Sequence, residues 1–130
     1  MVVLEALAGT YNIHKLPPNK PIPSVLYSAA LFCVLRSDKE LSIVCDADIT
    51  LTDAHADSQQ VGPFVALRVA GTLDFALTGI LSGLTTVLAN ADISVFSISS
   101  FDTDYLLVRE DSRTQAHRSL QQAGYEIRAA

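Results

Sequence analysis

The stretch FVALRVAGTLDFALTGILSGLTTVLAN, residues 64–90, changes its apolar period midway. Over Phe64–Val69 the pattern alternates, with Val65, Leu67 and Val69 on one side, as a half-buried strand requires. Gly71 ends that strand, and Asp74 precedes a second pattern in which Leu77, Ile80, Leu81, Leu84, Val87 and Leu88 recur at intervals of three and four. The spacing predicts a helix over about residues 75–90. It closes near Asn90 and Asp92, residue types that tolerate the left-handed conformation common at helix ends.

The pattern continues toward the C-terminus. Ile93–Ser99 alternates again, Val95 and Ser97 facing opposite to Phe96 and Ile98, and reads as a second strand. Ser100-Phe-Asp-Thr103 interrupts the apolar run as a turn, and Tyr105–Val108 returns as a third strand to make a hairpin. Asp111 or Ser112 caps a second helix with a weaker apolar face, Ala116, Leu120 and Ala123, which stops at Gly124. Tyr125–Arg128 supplies a last short strand. Strand, helix, strand, strand, helix, strand is an α+β, ferredoxin-like βαββαβ order: an antiparallel sheet with both helices on one face.

The first half reads as a worn copy of the same plan. Leu7–Leu16 is a strand, and Pro17, Pro18, Pro21 and Pro23 then leave room only for a short helical turn around Ser24–Tyr27. Ala30–Arg36 and Glu40–Cys45 form a hairpin across Ser37-Asp-Lys39, and Asp46–Gly62, polar and acidic, is expected to be a loop. The expected organisation is therefore two half-domains, residues 1–61 degenerate and residues 62–130 complete.

Composition narrows the function classes. Of 130 residues 49% are hydrophobic and 18% charged, enough apolar material for a core without metal or disulfide staples. A net charge of −5 with scattered Lys and Arg argues against a nucleic-acid partner. Cys33 and Cys45, each in an apolar stretch, read as buried reduced thiols, with a cross-strand disulfide the alternative. The N-terminus lacks the pattern of a signal peptide and no apolar run approaches a membrane span, so a cytoplasmic protein without membrane contact is expected.

Signals for catalysis and cofactors are weak. Asp46-Ala-Asp-Ile-Thr50 with Asp57 resembles a calcium loop only faintly, because Leu51 stands where that loop needs glycine. His14, His55 and His117 have no metal-ligand spacing, and no serine sits in a nucleophile-elbow motif. Neither a cofactor nor an enzymatic activity is expected.

Four stretches together resemble the tandem ACT-like proteins of the amino-acid-binding kind, among them the CASTOR-type cytosolic arginine sensors. They are Leu7-Ala-Gly-Thr-Tyr-Asn-Ile-His-Lys-Leu16, Glu40-Leu-Ser-Ile-Val-Cys45, Val69-Ala-Gly-Thr-Leu-Asp-Phe-Ala-Leu-Thr-Gly-Ile80, and Ile93 through Val108, the strongest match. The resemblance covers nearly the whole chain and is weakest over Asp46–Gly62. It implies paired ACT units that sense an amino acid rather than transform it. It also implies a site between the strand-to-helix junction Thr78, Gly79 and Ile80 and the segment Ser99, Ser100, Phe101 and Asp104, with Ser100 replacing a threonine. Leu77 stands where the arginine sensors carry an acid, which points away from arginine and toward a smaller or apolar amino acid. The chain has material for two ACT units where those sensors have four, so a homodimer is expected, with a regulatory protein partner possible.

Physical chemistry gives these positions a partial case of their own. Gly79 and Gly83 lie four apart on the expected helix, where each costs about 1 kcal/mol relative to alanine. Close packing or a close ligand would offset that cost. First-turn amides near Phe75 suit a carboxylate, Asp102 and Asp104 suit an ammonium group, and the hydroxyls of Ser99, Ser100 and Thr103 complete the hydrogen bonding. The plainer alternatives are helix–sheet packing for the glycines and a simple turn for Ser100–Asp104. Phe101 fits either a core plug or a pocket wall.

Overall fold

A computed structural model describes residues 2–51, 58–71 and 79–130. The chain divides into two compact units, one built from Met1–Ala8 together with Phe64–Ala130, the other from Gly9–Pro63. The first strand therefore packs with the C-terminal residues, whereas a division at residue 61 assigns it to the other half.

In the larger unit, β1 is Val3–Ala6, and the second part of β5 (Gln59–Val69) follows the intervening unit. Then come α1 (Ile80–Asn90), β6 (Phe96–Ser99), β7 (Asp104–Arg109), α2 (Arg113–Gln122) and β8 (Glu126–Ala129). The sheet runs β6-β7-β5-β1-β8. From β5 onward this is the expected βαββαβ order, with β1 inserted antiparallel to β5 and parallel to β8. Sequence reading missed β1, whose four residues are too short for a periodic signal. Val65, Leu67 and Val69 of β5 and Leu106 and Val108 of β7 meet Leu84 and Leu88 of α1 and Ala116 and Leu120 of α2 in one core. Both helices thus cover a single face of the sheet.

Helix ends follow local chemistry. Asp92 adopts φ 59° after α1; its N–H donates to the Ala89 carbonyl at 3.0 Å, and the Ile93 N–H reaches back to Leu88 at 2.9 Å. This is a Schellman ending, closed by contact between buried Ile93 and Leu88. α2 stops at Gly124 with the same pair of bonds, from Gly124 to Gln121 and from Tyr125 to Leu120. The start of α1 differs from expectation. The helix begins at Ile80, because its N-cap Gly79 is left-handed at φ 82°, and the expected earlier residues, Asp74 through Thr78, lie outside the described residues.

The smaller unit contains β2 (Tyr11–Leu16), a 3-10 turn at Ser24–Ser28, β3 (Phe32–Arg36) and β4 (Leu41–Asp46). β4 pairs antiparallel with both β2 and β3. The prolines do limit the helix to one short turn, which buries Leu26 against Leu16, Leu41, Ile43 and Cys45. Two expectations are corrected. The strand anticipated from Leu7 starts only at Tyr11, and Gln59–Gly62, read as loop, forms the first part of β5 beside β2. Asn12 and the Tyr11 carbonyl crowd the α-carbon of Gly62 so closely that no side chain fits there. Two side-chain clamps hold the turns of this unit. Asp46 accepts the amides of Ala30 and Leu31 at 2.8 and 3.1 Å, and the Arg36 guanidinium donates to the carbonyls of Pro18 and Lys20. The two cysteines are free and face opposite sides of the sheet, since Cys45 pairs with Phe32 and Cys33 with Val44. Burial first, then the carboxylates of Asp46 and Asp48, push the Cys45 thiol up to about 11.

Candidate functional site

Strand alternation and a tight bend position the hydroxyl-and-carboxylate cluster. β6 pairs with β7 from Phe96–Leu107 to Ser99–Asp104, leaving Ser100–Thr103 to turn the corner. The Ser100 N–H and Oγ both donate to the Thr103 carbonyl, at 2.8 and 3.0 Å, and the Thr103 N–H donates back to Ser100 Oγ at 3.2 Å. One step outward, Ser99 Oγ donates to the Asp104 carboxylate at 2.6 Å. Ser99 and Ser100 are therefore already engaged within the hairpin, as a turn reading requires. Asp102 is exposed, and Phe101 stands 82% exposed, which excludes a core plug.

Thr103 differs from its neighbours. It is buried, and its Oγ1 donates to the Val69 carbonyl at 2.7 Å. Val69 is the last residue of β5, the strand that leads through Gly71 toward α1. The hairpin bend is thereby fastened to the end of β5. No sequence signal marks Val69 as the partner of Thr103, because the bond spans 34 residues.

On the helix side, Gly79 is exposed with open space around its α-carbon, and Ile80 is half-buried against the core. Thr78, along with Leu77, lies outside the described residues. The shifted helix start moves the free first-turn amides from the region of Phe75 to that of Ile80–Ser82. Gly83, one turn in, has a plainer explanation: a β-carbon there would lie 2.9 Å from the hydroxyl of Tyr125, the residue just before β8, so close packing of the helix accounts for it. Among the described residues no group of His, Cys, Asp or Glu is arranged to hold a metal ion, and no helix is long and apolar enough to cross a membrane.

A βαββαβ unit with both helices on one face of the sheet defines a fold class, and comparison with known proteins bears the fold out. A family model described as an ACT domain matches residues 61–122. Residues 61–122 thus match an ACT domain, and the chain belongs to the same family as protein Atu0741 from Agobacterium tumefaciens. With the crystal structure of that protein it shares 30% identity over 99% of this chain and 93% of the other, at a TM-score of 0.86. A protein of unknown function from Vibrio cholerae, VC0802, described as a possible transport protein, is 21% identical with TM-score 0.70, covering 93% and 88%. The regulatory subunit of aspartate kinase from Thermus thermophilus shares the fold at 10% identity and TM-score 0.63, covering 95% and 97%. No curated protein sequence matches the chain significantly.

Proposed function

We propose that this chain is a regulatory, non-catalytic ACT module that binds a free amino acid at the end of the larger unit's sheet. The observation that supports the reading is the buried bond from Thr103 to the Val69 carbonyl, which ties the Ser99–Asp104 bend to the end of β5, the strand that precedes α1 in the chain. In this reading Thr78, Gly79 and Ile80 receive the carboxylate through backbone amides. Asp102 and Asp104 take the ammonium group, Ser99, Ser100 and Thr103 shape the hydrogen bonding, and Phe101 walls the side-chain end. ACT domains are regulatory and often bind amino acids, and the aspartate kinase regulatory subunit that shares this fold supports such a role. Leu77 directs the choice away from arginine. The tandem, CASTOR-like arrangement, the homodimer and the cytoplasmic location belong to the same proposal.

The test is a thermal-shift screen of the twenty amino acids at millimolar concentration. A ligand bound only by the native state at a hundred times its Kd adds about 2.7 kcal/mol to stability. One amino acid is expected to raise the midpoint, and Asp104→Ala and Ser100→Ala are expected to abolish the shift while folding is kept. Silence across the panel would exclude the reading.

A second reading, a ligand-free interaction module, is favoured by one observation in the smaller unit. Tyr27 is 81% exposed and stacks edge-on against Phe32 of the edge strand β3 at 5.9 Å between ring centroids, with Leu35 also exposed nearby on that strand. Under that reading the amino-acid panel is silent, and Tyr27→Ser weakens capture of a protein partner.

A further inference from the structure

Polar side chains are scarce in the core of the smaller unit, and one of them can change its charge near neutral pH. His14 lies midway along β2, 6% exposed, directly opposite Ile43. Alternation along the strand puts it on the same face as Leu16, which packs with Leu26, Leu41, Ile43 and Cys45. Its Nε2 is buried and has no hydrogen-bond partner among the described residues. A neutral imidazole tolerates such a place at a modest cost; an imidazolium there would be a buried charge without a counter-ion, which is far costlier.

The surroundings offer that charge no relief among the described residues. β4 brings Ile43 opposite and Cys45 beside it, a thiol that stays protonated well above neutrality, while Asp46 at its end points to the other face and accepts the Ala30 and Leu31 amides. The 3-10 turn contributes Leu26, with Tyr27 directed outward. The Gln59–Pro63 part of β5 contains no ionisable residue. On β3, Arg36 is occupied by the Pro18 and Lys20 carbonyls, and its charge would oppose a second cation. On the segment after β4, Asp48 is exposed at the rim. On β2 itself Lys15 points to the other, exposed face.

We propose that the unit of residues 9–63 is a proton-responsive element, in which protonation of His14 opens the packing of that unit while the larger unit, residues 1–8 and 64–130, remains folded. Burial alone holds the His14 imidazole below its ordinary value. The sign follows directly. A group whose neutral form is favoured in the fold contributes its stability in full above the unfolded value of about 6.5 and loses it as pH falls toward the folded value. Over that interval the open form carries one more proton than the closed form, so its population rises by up to about tenfold per pH unit. The larger unit has its own histidine, His117 on α2, held down by burial and then by Arg113. It is only half-buried and reaches solvent, so its protonation does not strand a charge.

Cys45 provides the readout, since it is fully buried in the same core and stays a neutral thiol through the acid range. In the full chain with Cys33→Ser, Cys45 labelling by dithiodipyridine is measured between about pH 7.5 and pH 5 and normalised to the urea-unfolded chain at each pH. The expected result is a rise of up to about tenfold per pH unit below about 6.5, with amide exchange at Leu84 and Leu120 unchanged. The rise is expected to vanish in the His14→Leu variant. An equal rise in that variant, or none in the parent, overturns the proposal. If His14→Leu does not fold, the His14 ring nitrogens are followed by NMR in the parent. A ring that stays neutral in the closed form while labelling climbs supports the proposal, and one that titrates in the closed form at the ordinary value overturns it.

Discussion

Thr103 concentrates the local logic of the larger unit. Its hydroxyl is buried and its one bond fixes the bend against the end of β5. Thr103→Val keeps the shape and removes the donor, leaving the Val69 carbonyl without this partner. A loss of about 1–3 kcal/mol is expected, seen as a lower urea midpoint with an unchanged slope. Ser99→Ala removes a more exposed donor, to Asp104, and should cost less than about 1 kcal/mol in the same assay. Two glycines separate strain from crowding. Gly79→Ala meets open space and pays only for its left-handed backbone, about 1–2 kcal/mol. Gly62→Ala pays for its positive φ and also collides with Asn12, so about 3 kcal/mol or more is expected in equilibrium unfolding. The hydroxyls and carboxylates of residues 99–104 were legible in the sequence as a group. Their internal bonding was not, because Ser and Asp satisfy a turn and a ligand with the same atoms.

Elements were legible wherever a period ran long enough. α1 and α2, the β3–β4 hairpin and the β6–β7 hairpin all follow their apolar spacing, and both helix stops follow from Asp92 and Gly124. Misreadings cluster where a backbone rule overrides the period. The helical spacing of Leu77 and Ile80 runs straight through Gly79, yet the left-handed turn there starts the helix at Ile80. Gln59-Gln60-Val61-Gly62-Pro63 carries polar and breaker residues, yet it extends as a strand because β2 lies beside it, a tertiary cause that no local window contains. At the end of α1, Asp92 occupies a conformation that glycine adopts without penalty. Asp92→Gly is therefore expected to stabilise the chain by about 0.5–1 kcal/mol, measured as a higher melting temperature.

At the scale of the whole chain there are two compact units, one that contains the βαββαβ order and one that holds β2, β3, β4 and a proline-limited 3-10 turn. The shortness of the one turn of helix in the smaller unit was visible in the sequence from Pro17, Pro18, Pro21 and Pro23. The assignment of the first strand was not, since its partners β5 and β8 stand far along the chain. The homodimer that belongs to the proposed function predicts a sedimentation mass of twice the 14.0 kDa chain, and a mass of one chain at micromolar concentration would exclude it. The parallel pairing of β1 with β8 carries a consequence for synthesis. Residues 9–63 are contiguous and can collapse as soon as they leave the ribosome. Val3–Ala6 precedes them in the chain, and it gains one neighbour when Leu67–Val69 of β5 is made but the other only with Glu126–Ala129. That strand is thus hydrogen-bonded on both edges only once β8 has been made.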